Sequence, residues 1–327
     1  MKKILILLIL CMPCLAYAQP PSTNADLKQE NLAGNVQSVL EVTGMTGTDG
    51  SRFDTRHIYT EYDTYGNQVL YKFVHNVAQQ KYSRNVRMYD DAHNLATVHM
   101  YEDSALVEKR LYTYNAAKQM SQESIFGPNG RLSQKTLFFY DAAGHLTEIQ
   151  LWLSDTYFVL KQVYTYDTRG NRLSFKTYNA KDSLSYQYLY QYDQDNNQIS
   201  QRYEKAHDTT VRITKNTYNK QKELTRSLTY QNEKLVEETS YTYAPNHVNT
   251  EAIHVYPPRR SKYITRHNDK GLLVETREYS GDKLLVRQTY TYDYDASGNW
   301  VKMYNTYNGD EPNITERTIK YYPARRK

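Results

Sequence analysis

A short signature returns along this chain at almost constant spacing, and a fixed period of roughly 20–50 residues commits a chain to a solenoid, propeller or array. The reference residues are Tyr62, Tyr89, Tyr114, Tyr140, Tyr166, Tyr192, Tyr218, Tyr243, His267 and Tyr294, at intervals of 27, 25, 26, 26, 26, 26, 25, 24 and 27. Four positions later stand Gly66, Gly144, Gly170, Gly271 and Gly298, with Asn196 in the same slot. The cleanest copies read Tyr-Asp-x-x-Gly-Asn: Tyr62 to Asn67, Tyr166 to Asn171 and Tyr294 to Asn299.

Each unit splits into two strands. Residues 184–192, Leu-Ser-Tyr-Gln-Tyr-Leu-Tyr-Gln-Tyr, alternate with period two, as a half-buried strand does. The signature itself is a turn. Its Asp accepts from a backbone N–H two residues on, and its Gly supplies a positive φ, which together give a hairpin loop with a bulge. His93, Lys118 and Lys222 occupy the Gly slot in other copies, and there a looser turn is expected. A second set of breakers, including Pro128-Asn129-Gly130, Pro257-Pro258 and Asn308-Gly309, ends each outgoing strand.

About twenty strands therefore run up and down. The expected fold is all-β, tandem hairpins forming one long curved or spiralling antiparallel sheet with aromatic ladders on its inner face. Composition agrees with a thin wall. The chain has 34 Tyr against 7 Phe and 2 Trp, and its hydrophobic fraction is 39%, below the roughly 45–50% of ordinary globular domains. Tyrosine suits a half-wet sheet because its ring packs while its hydroxyl stays solvated.

The repeated Tyr-Asp-x-x-Gly-Asn unit resembles the YD repeat of the Rhs family, which also occurs in Tc-toxin C components and teneurins. The resemblance spans residues 34–327 and implies a strip of antiparallel sheet that spirals into a hollow shell. Large Rhs shells end in an Asp-Pro-rich self-cleaving motif before a toxic domain. This sequence contains no Asp-Pro, and it is most similar to the short, secreted, stand-alone kind of YD-repeat protein.

Domain organisation follows. Lys2-Lys3, an apolar run from Ile4 and Ala16-Tyr17-Ala18 read as a signal peptide over residues 1–18, cleaved after Ala18. Neither Cys11 nor Cys14 follows a small residue, which disfavours a lipid anchor. Residues 19–33 read as a flexible leader and 34–327 as the repeat array. The expected location is secreted or periplasmic, with no transmembrane segment in the mature chain. Both cysteines fall in the signal, so no disulfide can staple the mature protein. Of 41 basic and 36 acidic residues, the signal takes two lysines and no acid, leaving +3. No clustered basic face is present, so nucleic acid is not an expected partner.

Enzyme chemistry has no foothold in the sequence. It shows no nucleophile elbow, phosphate loop or paired-histidine ligand spacing. Residues 193–197 and 293–298 resemble the start of a calcium loop, but the first, with Glu204 at the bidentate position, has Gln198 where the loop needs Gly, and the second has Tyr304 where it needs the bidentate Glu. Both are repeat turns, and no metal or cofactor is expected. The remaining functional candidate is the ladder of Tyr164, Tyr190, Tyr241 and Tyr290, which stand on one face of successive incoming strands. Rows of such rings either stabilise the sheet by cross-strand pairing or form a stacking platform. The expected function is a non-catalytic scaffold binding a glycan or an envelope or surface protein. The alternatives are a structural protein of the cell envelope that self-associates through free sheet edges, or a remnant of an Rhs-like toxin shell.

Overall fold

The computed structural model describes residues 25–46 and 51–323. The signal-peptide and cleavage assignments, and residues 19–24 of the leader, lie outside them. After a short helix α1 (Ala25–Gln29) come β1 (Val36–Thr46), β2 (Arg52–Tyr62), β3 (Gln68–Asn76), β4 (Lys81–Tyr89), β5 (Leu95–Glu102), β6 (Ala105–Tyr114) and β7 (Met120–Phe126). There follow β8 (Leu132–Tyr140), β9 (Leu146–Leu153), β10 (Tyr157–Tyr166), β11 (Arg172–Asn179), β12 (Leu184–Tyr192), β13 (Gln198–Lys205), β14 (Val211–Tyr218) and β15 (Leu224–Gln231). The chain continues through β16 (Lys234–Tyr243), β17 (Asn249–Tyr256), β18 (Ser261–His267), β19 (Leu273–Ser280), β20 (Lys283–Tyr294), β21 (Trp300–Tyr307) and β22 (Asn313–Tyr321).

Every strand pairs antiparallel with its sequence neighbours, and β1 also pairs antiparallel with β22, from Val36↔Tyr321 to Gly44↔Ile314. The sheet is therefore a closed up-and-down barrel of 22 strands. It is the expected array of hairpins, closed on itself where an open curve or spiral was expected. Closure leaves no free edge, so self-association through unpaired edge strands has no template in this fold.

The turns show how closure is built. In the first complete one, Asp63 Oδ1 accepts from the backbone N–H of Tyr65 at 2.8 Å and of Asn67 at 2.9 Å. Its Oδ2 accepts from Asn67 Nδ2 at 2.9 Å. The same three bonds recur at Asp90/Asn94, Asp167/Asn171 and Asp193/Asn197. In two turns opened by Asn the fifth residue is an acceptor: Asn115 donates to Gln119 Oε1 and Asn219 to Glu223 Oε2. The donor has changed ends and the bridge survives.

His93, Lys118 and Lys222 take φ of 62°, 61° and 64° and keep the backbone bonds of the glycine turns. These turns are no looser than the others, contrary to expectation. The side-chain bridge holds a conformation that disfavours a Cβ by only a modest margin. Each turn is preceded by a register shift, for example between Thr165 and Tyr166. A bulge repeated beside every signature turn bends the wall the same way each time, and the bends sum to a ring.

Tyrosine hydroxyls lace consecutive turns together. Tyr89, Tyr114, Tyr140, Tyr166, Tyr192, Tyr218 and Tyr243 each donate to the carbonyl of the first residue of the preceding strand, at 2.8–3.0 Å. In β20 this bond comes from Tyr292, to Leu273 O at 2.7 Å. The repeat residue of that unit is therefore Tyr292 and not Tyr294, because β20 carries two extra residues before its turn. His267 replaces the tyrosine in β18, and its buried Nδ1 has no partner.

Pairing registers sort the side chains into two faces. The face followed through Tyr164↔Phe175↔Tyr188↔Tyr203 holds the repeat tyrosines and most buried strand residues, among them Val39, Tyr62, Val98, Ile149 and Ala252. On a closed wall side chains converge inward and diverge outward, so the more buried face is the inner one. Helix α1 lies against it at the tyrosine rim, where Leu27 packs with Val36, Val39 and Tyr62. Part of the segment read as a flexible leader is thus docked structure. Among the described residues, Val36 is the only large side chain less than 2% exposed. A 22-stranded ring is too wide for its side chains to fill, and this barrel is hollow.

Candidate binding surface

The four tyrosines singled out by the sequence all stand on the inner face, two residues before the tyrosine that laces each turn. They do not form one ladder. Between Tyr190 and Tyr241 the same level is held by Asn216 on β14, and between Tyr241 and Tyr290 by Thr265 on β18. Only Tyr164 and Tyr190 belong to a common aromatic patch, and Phe175 joins them from the strand between.

That patch covers β10 to β13. The Tyr164 and Phe175 ring centroids lie 5.2 Å apart, Phe175 and Tyr188 5.8 Å, and Tyr188 and Tyr203 4.9 Å. Tyr188 and Tyr190 stand 6.4 Å apart with planes 12° from parallel, and Tyr186 packs edge-on to Phe175 at 5.9 Å. Three of these rings alternate along one strand, and the partners on the flanking strands sit directly opposite, which brings facing Cβ atoms to about 5 Å. The expectation missed Phe175 and Tyr203 because it followed incoming strands alone. The signal was present: each stands on an outgoing strand at a position that pairs with a tyrosine of the incoming one.

A guanidinium closes the rim end of the patch. Arg172 lies 4.8 Å from the Tyr190 ring centroid and 6.0 Å from that of Tyr164, within cation–π range. Its Nε is buried without a hydrogen-bond partner, as is Thr177 Oγ1. Elsewhere the inner charges are mostly spent on one another: Arg110 on Glu108 and Glu123, Arg56 and Arg317 on Glu41, Arg212 on Glu237. Burial raises the pKa of the lacing tyrosines Tyr140, Tyr166, Tyr192, Tyr218 and Tyr243, and pushes Tyr114 and Tyr292 up to about 12, so these phenols are neutral donors at physiological pH.

The carboxylates that resembled a calcium loop are committed to their turns. Asp193 accepts from the backbone of Asp195 and Asn197 and from the Asn197 amide, and Asp295 accepts from Ser297 and Asn299. Among the described residues no three His, Cys, Asp or Glu side chains gather closely enough to hold a metal ion. No described helix is long and apolar enough to cross a membrane.

No family model matches the chain, and no curated protein sequence matches it. Among solved structures it is similar to a chain of a TcdB2–TccC3–Cdc42 complex, with 12% identity and a TM-score of 0.43 over 83% of this chain and 16% of that one. A TcdB2–TccC3 structure without its hypervariable C-terminal region gives 12% identity and a TM-score of 0.32, over 79% of this chain and 16% of that one. A porin-like protein from Bacteroides uniformis ATCC 8492 gives 10% identity and a TM-score of 0.33, over 88% of this chain and 98% of that one. This chain thus spans about a sixth of the toxin-complex chains to which it is similar.

Proposed function

We propose that this protein is an exported, non-catalytic β-repeat scaffold that binds a glycan on the inner aromatic patch of its barrel. The observation that carries the reading is a continuous cluster of rings on the wall of a hollow barrel, with Tyr164, Phe175 and Tyr190 buried as its base and Tyr186, Tyr188 and Tyr203 half-buried on its surface. A sugar presents C–H faces that stack on aromatic rings and hydroxyls that bond to phenols, and tyrosine supplies both halves of that contact. The pairing of most inner charges with one another supports a binding role over a catalytic one, since catalysis needs unlike groups converging on one reacting atom.

The outer face supports a place outside the bilayer. Its mid-strand positions include Lys215, Arg266, Glu275 and Arg277, with Glu275 engaging Arg266, Arg277 and Arg287. A barrel that crosses a membrane needs an outward band of apolar side chains instead. A secreted or periplasmic location, with the signal removed after Ala18, fits these observations.

The test is a glycan array probed with the mature protein and repeated with Tyr188→Ala and Tyr188→Phe, with melting temperature measured on each. The reading expects array binding that falls at least tenfold for Tyr188→Ala and little for Tyr188→Phe. Absence of any glycan signal, with capture of an envelope protein instead, would replace the glycan by a surface protein.

A further inference from the structure

The inner wall from β8 to β14 carries cations and no acid. Its inward positions hold Arg172, Lys205 and Arg212, while the nearest inward carboxylates are Glu123 on β7 and Glu237 on β16. Arg212 is engaged by Glu237 at 3.3 Å. Arg172 and Lys205 make no ion pair within 4 Å among the described residues.

These two cations bracket the aromatic patch. Arg172 lies over Tyr190 at one end. Lys205 is paired with Tyr186 at the other, and is exposed. Tyr186 and Tyr190 are four residues apart on β12, so the floor between the cations is about 13 Å long. Every other described inner arginine is paired with a carboxylate of this chain, whereas Arg172 has none and Lys205 has only the turn residue Asp208 near it, without an ion pair within 4 Å.

We propose that the ligand of this patch is an anionic glycan, whose sugar rings lie on the half-buried Tyr186, Tyr188 and Tyr203 and whose acidic groups meet Arg172 and Lys205. The proposal rests on the glycan reading above and adds the charge of the ligand. Carboxylate and sulfate share the chemistry that a guanidinium and an ammonium recognise by charge-assisted hydrogen bonds. Arg172 is held by the rings on which it lies, so little rotamer freedom is lost on binding.

Calorimetric titration of the mature protein with two matched pairs tests this: polygalacturonate oligosaccharides against their methyl esters, and dextran sulfate against dextran. The expected result is at least tenfold tighter binding of the acidic member of one or both pairs, with the preference shrinking in high salt. The pair that shows it identifies carboxylate or sulfate. Lys205→Gln, at an exposed position, should cut the preference about fivefold without moving the melting temperature, and Arg172→Gln should do the same or more. Equal binding of acidic and neutral members, or a preference that both variants leave intact, would overturn the proposal while the glycan reading stands. Binding of none of the four probes, with an array that is also silent, would remove both.

Discussion

The phenol of Tyr322 donates to the carbonyl of Tyr62 at 2.6 Å, joining residues 260 apart in sequence. Beside it the Tyr322 N–H donates to Asn35 O at 2.8 Å. Phenol-to-carbonyl bonds tie neighbouring turns along the rim, except at β18 where His267 stands, and this one ties the end of the chain to the first hairpin. Tyr322→Phe keeps the ring and removes the donor, leaving the Tyr62 carbonyl without that partner. The expected cost is roughly 1 kcal/mol in urea unfolding. Tyr166→Phe should cost about as much, since it removes the same kind of bond from an ordinary unit. A seam variant that loses nothing while Tyr166→Phe loses stability would mean that the ends do not meet as described.

The turn bridges predict a compensating exchange. Asp167→Asn opposes two amide groups where Asp167 Oδ2 now accepts from Asn171 Nδ2. Asp167→Asn with Asn171→Glu rebuilds the polarity seen at Asn219 and Glu223. The single change should lower the melting temperature and the double change should recover most of the loss. Additive losses would show that the side-chain bridge contributes nothing and that the backbone alone sets the turn.

Stability should fall at both ends of the pH scale, for opposite reasons. The Asn171 amide, then backbone N–H groups, hold the Asp167 carboxyl below its ordinary value, and the Asn197 amide does so for Asp193. A depressed folded pKa gives stability that is present above the unfolded value, about 3.9, and lost as pH falls through the folded one. Melting temperature should therefore drop below about pH 4. Burial raises Tyr114 and Tyr292 to about 12. Their contribution is full below the unfolded value of about 10 and is lost as pH rises from there to the folded value. Phenolate absorbance should thus appear late and together with loss of sheet. Titration of every tyrosine near pH 10 with the fold intact would contradict the laced rim.

Removal of residues 167–192 takes out β11 and β12 with the turns before and between them, and an even number of strands remains. The first and last strands can still pair antiparallel, so a narrower barrel should fold, with stability near the sum of its units and interfaces. Removal of one strand leaves an odd number and sets β1 parallel to β22. That variant should unfold or associate. Equal behaviour of the two deletions would refute the hairpin as the unit.

Much of this was legible in the sequence because each unit states its own geometry. Tyr186, Tyr188, Tyr190 and Tyr192 alternate as one strand, and Asp167 to Asn171 spell a turn. Closure was not legible, because it depends on β1 meeting β22 across nearly the whole chain, and no local pattern around Val36 or Ile319 records that partner. The signature puts the repeat residue at Tyr294 because Asp295 follows it, although the hydroxyl bond is set by reach across the rim and falls to Tyr292. The patch at β10–β13 was half visible. Tyr164 and Tyr190 follow from the repeat, whereas Phe175 and Arg172 enter through strand pairing, which periodicity on one set of strands does not show.

Closure itself can be read with one crosslink. Thr43 and Thr315 are direct partners in β1 and β22, their hydroxyls 3.1 Å apart across 272 residues, and directly opposed strand positions fall within disulfide range. The chain from Gln19 onward contains no cysteine. A Thr43→Cys/Thr315→Cys variant should therefore oxidise to an intramolecular disulfide in the folded monomer, seen as a faster band without reductant and a mass lower by two hydrogen atoms. A Thr43→Cys/Thr229→Cys control, placing the second thiol on β15 far from the seam, should stay reduced. If the seam pair keeps both thiols free in folded protein under the same oxidation, the barrel is open and the account of the lumen falls with it.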